Sequence, residues 1–207
     1  VLAHLARPGT EPALRLSYVR SLMSAQRYVE AITQLETVVR ERPEMAPPYL
    51  SLGALHLELR QPQKAEAALQ RYVQLTQAAN PGAKPAPAAP SEDDDDDSTE
   101  RPEQGLIQAW LMLAQAAEQR GDFAAAEGWL ARIDDPKRAL EVQTRRATLL
   151  ARQGKVAEAR EIVRRTPERE AGDARAKLLA EAGVLREVKR WKDAFEVLDG
   201  AVKRFPD

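Results

Sequence analysis

Small and large apolar residues recur along this chain at fixed offsets. Ala31, Ala65, Ala126, Ala159 and Ala194 are each followed four residues later by a larger aliphatic, namely Leu35, Leu69, Leu130, Val163 and Leu198. An i, i+4 pair lies on one face of an α-helix, so each pair marks a helix with one buried side. Twelve residues before each Ala stands a second small or modest residue: Val19, Gly53, Ala114, Ala147 and Ala182. Two helices joined by a short turn bring these positions face to face, and small side chains there let the helices approach closely. Gly121 and Gly154 stand where the first helix must end, since glycine tolerates the left-handed conformation common at a helix C-terminus. Pro43, Pro136, Pro167 and Pro206 follow the second helices. They stop continuation, because the ring nitrogen cannot donate and the preceding residue is pushed out of the helical region. The predicted unit is a helical hairpin, present five times.

From Ala31 to Ala65 is 34 residues, and the later intervals are 61, 33 and 35, so one period of about 34 is interrupted once by an insertion. The third unit carries Trp110, Leu113, Ala114 and Ala117, then Ala126, Leu130 and Pro136. The second has Tyr49, Leu52, Gly53 and His56, then Ala65 and Leu69; the fifth has Ala182, Leu185, Ala194, Leu198, Ala201 and Pro206. This spacing resembles the tetratricopeptide repeat, whose pattern is Trp-x2-Leu-Gly-x2-Tyr, then Ala-x3-Phe, then Pro. The first and fourth units depart from it with Arg15 and Gln143 in the aromatic slot and Arg146 in the Leu slot. In the fifth, Leu178 and Glu181 replace Trp and Leu. The resemblance covers roughly residues 12–79 and 105–207. It implies an all-α fold, a right-handed α-solenoid of about five helix-turn-helix repeats with a disordered acidic insertion.

The boundaries expected are the end of a truncated preceding repeat over 1–11, repeats one and two over 12–79, the insertion over 80–106, and repeats three to five over 107–207. Solenoids ordinarily carry atypical capping units, and neither end here has one, so the natural protein is expected to continue in both directions. The insertion opens with four Pro between Asn80 and Pro90 and continues with the acidic run Glu92 to Asp97. Proline disfavours helix, and like charges repel, so this stretch is expected to be disordered.

Composition narrows the function further. Ala and Leu far outnumber Val, Ile and Thr, which agrees with helix throughout. The chain has no Cys and only two His, His4 and His56. That removes thiol nucleophiles, Cys-based zinc sites and most imidazole chemistry. The 31 basic and 32 acidic residues balance to a net charge of -1, so no global basic field gathers phosphates. Because the insertion is strongly acidic, the repeats themselves are mildly basic. No apolar stretch approaches the roughly 20 residues of a membrane-spanning helix.

Each candidate for chemistry has a plainer reading. The acidic run lacks the fixed spacing and distal Glu of a calcium loop. His56 falls in the slot where the repeat places Tyr and is expected to pack as an aromatic substitute. Asp134 and Asp135 precede Pro136 at a turn, where Asp caps backbone N–H groups. The pairs Arg145-Arg146, Arg164-Arg165 and Lys189-Arg190 alternate with Glu and lack interleaved aromatics, so no nucleic-acid partner is expected, and an RNA-binding helical repeat is the third reading. No catalytic residue, metal site or cofactor is expected, and the chain is read as a non-enzyme.

What the family resemblance implies instead is a protein or peptide partner held along the concave face of the first helices. Matching the repeat's groove positions gives Leu16, Arg20 and Met23 in the first unit, and Leu50, Ala54 and Leu57 in the second. The third contributes Gln108, Leu111, Gln115 and Glu118. Thr144, Thr148 and Arg152, then Leu179, Gly183 and Arg186, complete the wall. On periodicity alone, burial within their own hairpin is an equal expectation for Leu16, Leu50, Leu111 and Leu179. The chaperone-tail-clamping subtype, which uses paired Asn and Lys, is excluded because Asn80 is the one Asn. The alternative reading is self-association through uncovered solenoid ends. An Ala- and Arg-rich, Cys-free array with a long insertion is similar to repeat proteins of Gram-negative bacteria, some of them lipid-anchored periplasmic adaptors. That likeness implies an envelope location, with the cytoplasm as the alternative.

Overall fold

The computed structural model describes residues 12–81, 102–170 and 172–205. Among the described residues are ten α-helices, one 3-10 turn and no strand. In chain order they are α1 (Pro12–Ser24), α2 (Tyr28–Glu41), α3 (Pro47–Glu58), α4 (Pro62–Ala79), α5 (Pro102–Gln119) and α6 (Phe123–Leu130). The 3-10 turn Pro136–Arg138 leads into α7 (Ala139–Arg152), followed by α8 (Val156–Arg165), α9 (Asp173–Glu187) and α10 (Trp191–Arg204). The protein is all-α, built of helical hairpins of the solenoid type. The chain divides into two compact units, the first running to Trp129 and the second from Leu130 onward.

Both small positions of each hairpin are buried. Ala31, Ala65, Ala126, Ala159 and Ala194 lie in the core, as do Val19, Ala114, Ala147 and Ala182. Gly53 shows why size matters, since a Cβ there would stand 2.4 Å from Cγ and Cδ2 of Leu69. In the first unit Val19, Leu22, Ile32, Leu35, Leu52 and Leu55 form one cluster that ties α1 and α2 to α3. In the second, Ala147, Ala159, Val163 and Val184 join α7, α8 and α9, while Ala182, Leu185, Ala194 and Val197 join α9 to α10. Each cluster spans consecutive helices because each hairpin lends one face to the next.

The five turns share one geometry. The residue five before each buried Ala has positive φ: Gln26 (57°), Arg60 (55°), Gly121 (75°), Gly154 (83°) and Lys189 (61°). In every case the following N–H reaches back across the turn: Arg27 to Leu22, Gln61 to His56, Asp122 to Ala117, Lys155 to Leu150 and Arg190 to Leu185, at 2.8–2.9 Å. This is the left-handed closure that satisfies the last carbonyls of a helix. Glycine marks only two of the five.

Two features differ from the sequence expectation or refine it. Helix α5 begins at Pro102, so residues 102–106, assigned to the insertion, are helical. The reason is packing: Gly105 and Leu106 are buried, and a Cβ on Gly105 would stand 1.9 Å from the Tyr72 Oη. Arg15, in an aromatic slot, is nonetheless buried, and its Nη1 donates to Gln34 Oε1 on α2 at 2.9 Å. The preceding partial repeat over 1–11, the Pro-rich and acidic residues 82–101, and Pro206 lie outside the described residues. Among the described helices none is long and apolar enough to cross a membrane.

Candidate functional site

In the second unit the first helices of the two hairpins, α7 and α9, pack side by side. An ion pair between Arg152 Nη2 and Glu187 Oε1 links their C-terminal ends. On α7, Thr144 and Thr148 are half-buried and donate their hydroxyls to the carbonyls of Leu140 (2.6 Å) and Thr144 (3.0 Å). Their hydroxyls are thus satisfied inside the helix. On α9, Leu179 is 52% exposed, Gly183 has open space where a Cβ would stand, and Arg186 is exposed. Their i, i+4, i+7 spacing puts them on one face. Leu179 is therefore not consumed by its own hairpin, and Gly183 and Arg186 share its exposed face of α9.

In the first unit the expected residues divide. Arg20 on α1 and Gln108 and Gln115 on α5 are exposed. Leu50 and Ala54 on α3 and Glu118 on α5 are half-buried. Leu16 and Met23 are partly buried against the α1–α3 core, so they contribute more to packing than to an outer face. Leu57 and Leu111 correct the sequence expectation, because both are buried and neither can touch a partner. Helix α3 has α2, α4 and α5 against it, and α5 lies against both α3 and α4. Apolar positions at these seams fill space between neighbouring helices, and a polar contact joins α5 to α3 where Gln119 Nε2 donates to the Leu57 carbonyl at 3.4 Å.

His56 is buried, with Nδ1 donating to Gln61 Oε1 at 3.0 Å. Burial lowers its pKa, because the imidazolium is poorly solvated there. Asp135 caps the 3-10 turn by accepting the Lys137 N–H at 2.9 Å. Asp173, at the start of α9, accepts the backbone N–H groups of Arg169 and Glu170 at 2.7 and 3.0 Å, and these bonds lower its pKa. Among the described residues no three His, Asp or Glu side chains converge as a metal centre requires.

Sequence reasoning missed one cluster. Glu181 is buried on α9 and accepts from Arg160 Nε (2.7 Å) and from Arg164 Nε and Nη2 (2.9 and 2.7 Å), both arginines coming from α8. Beside it a cavity of about 490 Å³ is lined by Arg160, Arg164, Lys177, Glu196 and Arg204. The available signal was Glu181 itself, an acid in a slot that holds Leu52 and Leu113 in the second and third units.

Two tetratricopeptide-repeat family models match the sequence, over residues 22–82 and 108–139. Among solved structures, the putative kinesin light chain nearly identical TPR-like repeats of Podosopora anserina are 19% identical over 96% of this chain and 100% of that one, with a TM-score of 0.63. MamA is similar at 13% identity over 93% of this chain and 90% of its own, with a TM-score of 0.61. YrrB, described as a TPR protein with an unusual peptide-binding site, is 14% identical over 93% and 86%, with a TM-score of 0.56. Among curated protein sequences there is no significant match.

Proposed function

Because this chain is a tetratricopeptide-repeat protein, we propose that it is a non-catalytic scaffold that holds a partner peptide or helix along the concave face of its first helices. The observation that carries this reading is the α9 face: Leu179 stands 52% exposed beside open space at Gly183, with Arg186 one turn beyond. A large aliphatic left in water next to a bare backbone is a ready pocket for an apolar side chain. The neighbouring helix α7 packs beside it, and Arg186 supplies a charge that suits an acidic flank. In the first unit Arg20, Gln108 and Gln115 offer a more polar face. Such a surface favours an extended or helical segment that carries one or two apolar anchors beside acidic residues.

The test uses a displayed library of random peptides selected on the full chain. Enriched sequences should share an apolar anchor beside acidic residues. Their affinity, measured by fluorescence anisotropy, should fall at least about tenfold in Leu179→Glu and in Arg186→Glu, since loss of one central anchor costs more than 1.4 kcal/mol. Circular dichroism should stay helical in both variants. No enrichment, or unchanged affinity in both, would overturn the reading.

A further inference from the structure

The cavity beside Glu181 lies on the far side of α9 from the Leu179–Arg186 face. Lys177 and Glu181, which line it, stand two residues to either side of Leu179, about 200° around the helix. Helices α8, α9 and α10 of the second unit wall it. Its volume of about 490 Å³ falls within the range of small-molecule sites, roughly 300–1,000 Å³.

Gly200 keeps this space open. It sits inside α10 without a positive φ, where glycine is among the least favourable residues, and nothing lies within 4 Å of the place its Cβ would take. Neither a turn nor close packing within the chain calls for glycine there. The position falls six residues after the buried Ala, and the other second helices fill it with Thr37, Arg71, Arg132 and Arg165. A bare backbone in a helix that borders a cavity suits the close approach of a ligand.

The lining sets the class of that ligand. Ala174, Leu178 and Val197 give an apolar floor, widened by the alkyl stems of the basic side chains. The cations are Arg160, Arg164, Lys177 and Arg204 and the carboxylates Glu168, Glu181 and Glu196, so one positive charge is in excess. Lys177 is matched by Glu168 at 3.0 Å. Glu181 is shared by two arginines, and Arg160 gives it only Nε, so terminal guanidinium nitrogens remain for a second anion. The Arg160 and Arg164 side chains are 31% and 52% exposed, so a solute reaches them from water. The exposed Glu168 and Glu196 would repel a dianion such as phosphate, whereas one carboxylate matches the excess.

From these observations we propose that the α8–α9–α10 cavity binds a small organic monoanion, a carboxylate on a short hydrocarbon body. Its charge lies on Arg160 and Arg164, and its body lies against Leu178, Val197 and the bare backbone of Gly200. The site shares no residue with the Leu179–Arg186 face, so either can fail without the other.

The experiment is a titration of the isotope-labelled full chain with straight-chain carboxylates from acetate to octanoate, followed by the amide resonances of Gly200 and Val197. Hexanoate and octanoate should give saturable shifts, and acetate, which lacks the body, should bind at least about tenfold more weakly. Hexanamide keeps the body without the charge and should also be weaker by at least about tenfold, as should inorganic phosphate. Gly200→Leu fills the cavity and favours helix, so it should stay folded by circular dichroism and lose the hexanoate shift at Val197. No saturable shift with any carboxylate overturns the proposal. Hexanamide binding as tightly as hexanoate overturns it, because the arginines would then play no part. Phosphate binding as tightly does so too, since the hydrocarbon body would be irrelevant. Undiminished hexanoate binding in Gly200→Leu would put the ligand elsewhere and overturns it equally.

Discussion

The Glu181 carboxylate, 1% exposed, accepts both Nε and Nη2 hydrogens of Arg164 from the neighbouring hairpin, at 2.9 and 2.7 Å. It also receives Arg160 Nε, so a charge cluster occupies the junction that Ile32, Leu35, Leu52 and Leu55 fill with hydrocarbon in the first unit. The bond to Glu181 raises the Arg164 pKa, so the guanidinium stays charged at any ordinary pH. Removing the anion leaves two arginines facing each other. Glu181→Gln should cost about 2 kcal/mol, toward the lower end for a broken buried pair because both arginines reach water. The double variant Glu181→Leu with Arg160→Ile, which copies the apolar junction, should recover most of that loss. Chemical denaturation of the full chain checks both. Equal stability of Glu181→Gln and wild type would mean that the cluster contributes nothing to the junction.

The turn residues offer a second test. Gln26, Arg60 and Lys189 hold the left-handed conformation that Gly121 and Gly154 hold elsewhere. A side chain costs about 1 kcal/mol in that region, partly offset by the greater freedom glycine has in the unfolded chain. Arg60→Gly and Lys189→Gly should therefore each stabilise by about 0.5 kcal/mol, and Gly154→Ala should destabilise by about 1 kcal/mol. Denaturation midpoints decide it. A loss of stability in both glycine variants would show that the side chains contribute contacts worth more than the strain.

Glycine also serves close packing. At Gly53 a Cβ would press on Leu69 from 2.4 Å, and at Gly105 it would overlap the Tyr72 Oη at 1.9 Å. Gly53→Ala should cost about 1–3 kcal/mol, the range for forcing a methyl group into a filled core. Gly105→Ala should be harmful by itself and less harmful beside Tyr72→Phe, because deleting the hydroxyl removes the 1.9 Å overlap and leaves the ring Cζ at 3.1 Å. A double-mutant cycle by thermal melting measures that coupling. An uncoupled pair would mean that α5 shifts as a whole to accept the methyl.

How much of this could be read from the chain depends on whether the signal is a size or a partner. The five buried Ala and their hairpin partners are legible because only small side chains fit there, and the constraint recurs at one spacing. Turn geometry was half legible: Gly121 and Gly154 announce it, whereas Gln26, Arg60 and Lys189 adopt the same φ with nothing in their chemistry to mark it. The start of α5 was missed because Pro102 and Gly105 look like breakers, yet Pro is at home in a first helical turn and Gly105 is required by Tyr72. Groove positions were the least legible. Leu50, Leu111 and Leu179 are the same residue at the same repeat position, yet they are half-buried, buried and exposed in turn, according to which neighbouring helices lie against α3, α5 and α9. Glu181 was visible as an anomaly, but its meaning lay in Arg160 and Arg164, about twenty residues earlier.

His56 gives a pH signature of its own. Burial lowers its pKa below the ordinary value of about 6.5, while the Nδ1 hydrogen goes to Gln61. The unfolded chain therefore binds this proton at higher pH than the folded one does. Linkage then makes stability rise with pH where the unfolded histidine is protonated and the folded one is not. His56 should have no effect on the pH dependence above about pH 7.5 and should erode stability as pH falls through about 6.5, levelling off below the folded-state pKa. His56→Phe keeps an aromatic in the slot and removes the titration, so its melting temperature should change less than wild type between pH 7.5 and 5.5. The side chain is an internal aromatic of the first unit and is remote in sequence from Glu181 and from Gly200. A wild-type curve parallel to that of His56→Phe across this window would show that the imidazole is protonated as easily in the folded chain as in the unfolded one.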